Sequence, residues 1–328
     1  MGDMSGTTDG PTGDTTDGRT GDTADGITEA PSASLRSGEL LGYPPGARLL
    51  IVNCDDFGMY TAINEAVVQA IEQGIAGSCS LMVPCPAAPD AMRRLRRRPE
   101  ISFGVHLTMV CEMPGSPWGP MAERAKVPSL LDRTGNLFAP TPVGRAELLG
   151  QARIEDVERE FRAQIDAVAD AGLAPTHLDF HCLADGGRDD IFDLTVSLAD
   201  EHGLAVRAWL EPAREAMRQR RLPVSENDFL DSYAIPLDGK PVRYARLLRD
   251  LPPGLNEWAV HPSLGTQESR ALDDGWHVRR TDYEFLVSPE ARQALAEEGI
   301  RLVDYAEVRR VWLEGAAPGG SAGIGSEG

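Results

Sequence analysis

Four consecutive apolar residues, Leu49, Leu50, Ile51 and Val52, run into Asn53, Cys54, Asp55 and Asp56 and close on Phe57 and Gly58. A short, unbroken apolar run bounded by turn residues predicts a strand buried on both faces, as a parallel sheet requires. Behind it Ile63, Ala66, Val67, Ala70 and Ile71 recur at helical spacing, and Gly74 stops the pattern. Residues 78–83 (SCSLMV) predict a second strand, ended by Pro84 and Pro86. Residues 91–98 predict a helix whose Arg93, Arg94, Arg96, Arg97 and Arg98 form a solvated outer face. Residues 101–108 (ISFGVHLT) predict a third strand with His106 near its carboxyl end. Strand, helix, strand, helix, strand is the βαβ pattern of a parallel sheet.

The alternation continues less evenly. Residues 110–150 are rich in Pro and Gly, carry Trp118, and read as a long loop of the lid or binding-surface kind. Ile154, Val157, Phe161, Ile165 and Val168 mark a long amphipathic helix that stops at Gly172. A short strand at 176–181 (THLDFH) follows Pro175, then a helix at 191–201 and a strand at 204–209 (LAVRAW). Across 211–254, Pro212, Pro223, Pro236, Pro241 and Pro252 are expected to break any long element. Residues 255–260 lead as a strand into His261-Pro262, and 300–303 form the last strand, with helices on either side.

Both ends differ in composition. An imperfect eight-residue repeat runs from Thr7, Thr15 and Thr23, and the first forty residues set eight acidic side chains against Arg19 and Arg36. So little apolar surface cannot offset the entropy of ordering, so 1–44 is expected to be a disordered acidic tail. The repeat lacks the distal Glu and flanking helices of a calcium loop. Residues 45–314 are expected to form one domain, followed by a flexible Gly/Ala/Ser-rich tail at 315–328. The chain of 328 residues carries a net charge of −19, which argues against nucleic acid or an anionic membrane as partner. Five cysteines without a CxxC pair, no long apolar run and no secretory signal pattern predict a cytoplasmic protein. A homodimer is the expected assembly.

Chemistry enters through the strand ends. Adjacent carboxylates such as Asp55 and Asp56 repel, and are costly to desolvate unless a cation or a proton compensates. Four of the six histidines, His106, His177, His181 and His261, also fall at or near strand ends, whereas His202 and His277 read as surface or packing residues. In a barrel of parallel strands every carboxyl end opens on one face, so distant residues converge there. One carboxylate with two imidazoles makes a three-ligand set that leaves positions open for water and substrate. Such a site acidifies water and polarises a carbonyl, while the second carboxylate takes a proton and another His gives one.

The ordered set NCDDFG, GVHL, THLDFH and VHP, with the closing YEFL, SPEARQAL and GIRLVDY, resembles the YdjC-like carbohydrate deacetylases, the family of chitooligosaccharide and hopanoid-associated deacetylases. The resemblance spans residues 49 to 308. It implies an α/β fold of the distorted TIM-like (β/α) barrel type and hydrolysis of the N-acetyl group of an amino sugar or chitooligosaccharide, with a divalent metal, Mg2+ or Zn2+. By motif position it implies Asp56, His106 and His181 as metal ligands, Asp55 as general base and His261 as general acid. His177, Asp179 and His181 share one face of a strand, so His177 and Asp179 are expected behind the ligands, with Asp179 orienting a ring nitrogen of His181. The family's segment HLDSHxH reads HLDFHCL here, so Phe180 and Leu183 replace a Ser and a His, and Cys54 stands where a small residue is usual. A different acylated amino sugar, or another acylated amine, is therefore open. Two further readings remain: a non-haem Fe(II) oxygenase on the same Asp/His/His set, and a non-catalytic carbohydrate-binding barrel.

Overall fold

The computed structural model describes residues 36–113 and 117–316. The chain enters through a single helical turn, α1 (Ser37–Leu40), and then forms β1 (Arg48–Phe57), α2 (Thr61–Gln73), β2 (Ser78–Leu81), α3 (Ala88–Arg96) and β3 (Ser102–Leu107). Two helices follow, α4 (Pro142–Gln151) and α5 (Ile154–Asp170), then β4 (His177–Phe180), α6 (Asp189–His202) and β5 (Ala205–Val206). The remainder is α7 (Glu211–Gln219), β6 (Leu230–Asp231), α8 (Lys240–Arg249), β7 (Gly254–Val260), α9 (Gln267–Leu272), α10 (Trp276–Leu286), α11 (Pro289–Glu297), β8 (Arg301–Leu302) and α12 (Tyr305–Ala316).

All strand pairings are parallel, in the order β5-β4-β3-β2-β1-β7-β6, with β8 beside the start of β1. β1 is the hub. It pairs with β7 from Arg48 to Cys54 on one side, and with β8 and then β2 on the other. Every residue of β1 after Arg48 is buried, as its unbroken apolar run requires. No ladder joins β5 to β6 among the described residues. The sheet nevertheless curls strongly: Arg207, just past β5, places its Nε 2.7 Å from Glu257 on β7. In a flat sheet those strands would lie five spacings apart, about 24 Å. The architecture is the expected α/β barrel, distorted and open along one seam.

Two regions differ from expectation. Residues 110–150 hold α4 as well as loop, capped by Thr141, whose side chain accepts from the Gly144 amide. In 211–254 no element exceeds 10 residues, as expected, but two of the prolines begin helices instead of ending them. Pro212 and Pro241 stand in the first turns of α7 and α8, where a missing N–H costs nothing and a fixed φ is preorganised. The boundary expected at residue 44 also falls too late. Ser37 is buried and its hydroxyl accepts from the Val224 amide, and Leu41 joins the core, so the fold begins by residue 36. At the other end α12 runs on to Ala316, two residues past the expected boundary. The eight-residue repeat and the Gly-rich tail from 317 lie outside the described residues. No described helix is long and apolar enough to cross a membrane.

Candidate functional site

Regular strands send neighbouring side chains to opposite faces, which would separate Asp55 from Asp56. The pairing register of β1 with β2 shifts between Cys54 and Phe57, and Asp56 takes φ +66°. This bulge turns both carboxylates into one cavity at the carboxyl end of the sheet. Gly58 completes the turn at φ +101°, where a β-carbon would lie 3.1 Å from the Met82 carbonyl oxygen.

Asp56 Oδ1 sits 3.1 Å from His181 Nδ1 and 3.5 Å from His106 Nε2, and all three side chains are buried. Ligands around one cation with bonds near 2.0–2.2 Å stand about 3.0–3.5 Å apart. Oδ1 is buried and has no hydrogen-bond partner among the described residues. An orphaned carboxylate oxygen facing two imidazole nitrogens fits a divalent cation, with Asp56, His106 and His181 as the residues that could hold it. Burial alone would raise the Asp56 pKa. The Arg279 guanidinium, 2.7 Å from Oδ2, outweighs it and holds the carboxyl well below its usual range.

Behind this trio lies a buried polar network. Parallel pairing sets His106 opposite Asp179, and Asp179 Oδ1 lies 2.9 Å from His106 Nδ1. Asp179 thus orients His106, on the neighbouring strand, and not His181 as expected from their shared face. Burial lowers the His106 pKa, but Asp179 more than compensates and lifts it to about 9. The other Asp179 oxygen accepts from Ser80 Oγ at 2.6 Å and pairs with Arg207 Nη1 at 2.9 Å. His177 touches none of the trio. It stacks on Tyr305 at 3.7 Å, within 3.2 Å of Ser80 Oγ and 2.9 Å of Thr176 Oγ1, and burial pulls its pKa down to about 3.

Asp55 accepts from Asn53 Nδ2 at 2.7 Å and from both terminal nitrogens of Arg207. Burial would raise its pKa, yet the Arg207 charge brings it below the ordinary value. Its Oδ2 lies 4.0 Å from His106 Nε2, beside the trio. His261, at the end of β7, lines the same cavity without touching the trio. Its amide donates to Asp282 Oδ2 at 2.9 Å, its Nδ1 lies 2.8 Å from Ser232 Oγ, and Tyr233 packs edge-on against the ring. His202 and His277 stand apart from the cavity.

Arg207, Arg279, Ser80 and Glu257 were not singled out from sequence. Arg207 left one trace, a cation inside the otherwise apolar LAVRAW run, where burial demands a counter-charge. The cavity measures about 640 Å³, within the range of small-molecule sites. Leu149, Phe180, Leu183 and Trp209 are large apolar residues of the lining. The long 110–150 segment contributes Glu112, Pro140, Arg145 and Leu149 to the lining, and Glu160 anchors it by accepting the Met121 and Ala122 amides.

Known proteins match this chain over nearly all of the described fold. The sequence model for the YdjC-like protein family matches residues 49–297. A carbohydrate deacetylase of Geobacillus stearothermophilus is 31% identical over 79% of this chain and 98% of its own length. A carbohydrate deacetylase of Thermus thermophilus is 35% identical over 77% of this chain and 91% of its own. Among solved structures, a candidate cellobiose-phosphate cleavage protein from Enterococcus faecalis V583 superposes with a TM-score of 0.67. It is 24% identical and covers 79% of this chain and 98% of the other, a likeness of fold.

Proposed function

Because the chain belongs to the YdjC-like protein family, we propose that it hydrolyses the N-acyl group of an acylated amino sugar or oligosaccharide at the Asp56–His106–His181 cluster. The observation that carries the reading is the convergence of Asp56 Oδ1, His106 Nε2 and His181 Nδ1, with the second carboxylate, Asp55, held beside them. A divalent cation held there by Asp56, His106 and His181, magnesium or zinc, would supply Lewis acidity toward the acyl carbonyl and water. Asp55 then accepts the proton that water gives up as its oxygen joins the acyl carbon. Arg207 and Asn53 keep that carboxylate ionised and aimed. A base whose pKa is lowered in this way is weaker, which would suit it to water acidified by such a cation. His261 supplies a proton to the amine as the C–N bond breaks, and Ser232 and Tyr233 set its ring. The products are a carboxylate and a free amine.

The lining limits the substrate. Leu149, Phe180, Leu183 and Trp209 offer an apolar face to a sugar ring or an acyl chain. Glu112, Asp231 and Asp273 join Asp55 and Asp56 around the cavity, against Arg145 and Arg279. This balance favours an uncharged sugar over a phosphorylated one.

The test is acetate release from N-acetylglucosamine oligomers by protein stripped of metal and resupplied with magnesium, zinc or cobalt. Metal-dependent acetate supports the reading. Stoichiometric metal without acetate redirects the search to another acyl substrate, and no metal binding at all removes the site.

A further inference from the structure

The ring of His181 has two nitrogens, and the trio uses one. The other, Nε2, lies 3.0 Å from Glu112 Oε2 and 3.4 Å from Cys182 Sγ. The three ligand atoms lie within 4.8 Å of one another. Around a tetrahedral zinc with a bond near 2.3 Å to sulfur and near 2.0 Å to nitrogen and oxygen, such donors stand about 3.3–3.6 Å apart. The donor set also differs in kind from its neighbour: a thiol replaces one imidazole, which selects thiophilic ions over magnesium.

Access differs too. Asp56, His106 and His181 lie at the buried base of the cavity, whereas Cys182 is exposed and the Glu112 side chain keeps about a quarter of its surface in water. An ion can reach this second set without opening the fold. Three protein ligands leave a fourth position for water, the pattern of a reversible site and not of a closed structural one.

We propose that Glu112, His181 Nε2 and Cys182 Sγ form a second cation site on the solvent side of the cavity, taking zinc or cadmium but not magnesium, and that its occupancy inhibits the reaction proposed above. Binding releases the thiol proton and, when both nitrogens of His181 carry ions, the remaining ring proton, each to solvent. The bound ion lies over the cavity lining contributed by Glu112 and Cys182 and obstructs entry of the acyl group. The inhibitory half rests on the hydrolase reading; the binding half does not.

The experiment uses the full-length protein, stripped of metal and titrated with cadmium alone. Two ions per chain are expected, the second bringing the ultraviolet sulfur-to-cadmium charge-transfer band. Cys182→Ser should bind one ion and show no band, and Glu112→Gln should weaken the second ion about tenfold or more. One ion per chain in wild type, or a band that survives Cys182→Ser, overturns the site. In the activity arm, excess zinc added to magnesium-supported protein should inhibit wild type at a concentration at least tenfold lower than Cys182→Ser. Equal inhibition of the two overturns the regulatory half. Absence of any hydrolysis counts against the function proposed above, while the cadmium titration still decides the site.

Discussion

Arg207 holds Asp55 through two parallel contacts, Nη1 to Oδ2 and Nη2 to Oδ1, each 2.9 Å long. The same guanidinium reaches Asp179 at 2.9 Å and Glu257 at 2.7 Å, so one buried cation pairs with three carboxylates on three strands. Arg207 is 4% exposed. A planar fork that satisfies several oxygens at once is a task for which lysine is no substitute.

Arg207→Lys keeps the charge and loses the fork. Asp55 is then free to rotate away from the proton that the proposed reaction has it accept. The expected result is a fall in kcat of about a hundredfold or more, little change in KM and full retention of metal. Arg207→Met should instead lose about 3–5 kcal/mol of stability, because it strips a buried cation from Asp55, Asp179 and Glu257 and leaves Asp179 only His106 as a charged partner. Steady-state kinetics with metal analysis, and urea unfolding, separate the two effects. A lysine variant with wild-type kcat would refute the positioning role.

Asp55→Asn preserves volume and removes the proposed proton acceptor. Metal stoichiometry should stay near one per chain under magnesium, while kcat falls about 10²–10⁴-fold. Asp56→Asn should lose the metal itself. If Asp55→Asn sheds its metal, Asp55 is a ligand and the two carboxylates have been assigned the wrong way round.

His177 makes stability depend on pH. Its folded-state pKa of about 3 lies below the ordinary histidine value near 6.5, with burial as the leading cause. The unfolded chain therefore takes up the proton first. This contribution is fully present above pH 6.5 and is lost as pH falls from 6.5 towards 3, up to a few kcal/mol on the order of one per pH unit. Urea unfolding at pH 7 and pH 5 should show a smaller loss for His177→Gln than for wild type. Equal losses would mean that His177 is protonated in the folded state.

Gly104 leaves room for that ring. A β-carbon at position 104 would stand 2.5 Å from His177 Nε2, with the stacked Tyr305 behind. Gly104→Ala is expected to cost about 1–3 kcal/mol, as overpacking in a closed core does. An unchanged urea midpoint would show that the ring can retreat.

Much of this could be read from the chain alone, because local chemistry decides it. The unbroken apolar run before Asp55 required a strand buried on both faces, and β1 is the central one. Histidines at the ends of parallel strands had to share a face, and His106, His181 and His261 all line the cavity. Proline was legible as a boundary in 211–254 but not in its sense. Whether Pro212 and Pro241 end an element or begin one depends on the residues that pack behind them.

What the sequence left open depends on contacts between residues far apart along it. Asp179 pairs with His106, 73 positions away, because the register of β3 on β4 sets them side by side. Arg207 meets Asp55, 152 positions away, because the sheet curls enough to bring β5 across to β1 and β7. The bulge that turns Asp55 and Asp56 to the same side is likewise a product of pairing with β2. Residue type and spacing determined which groups could carry the chemistry; strand register and sheet curvature, which are collective properties of the packed core, decided which of them touch.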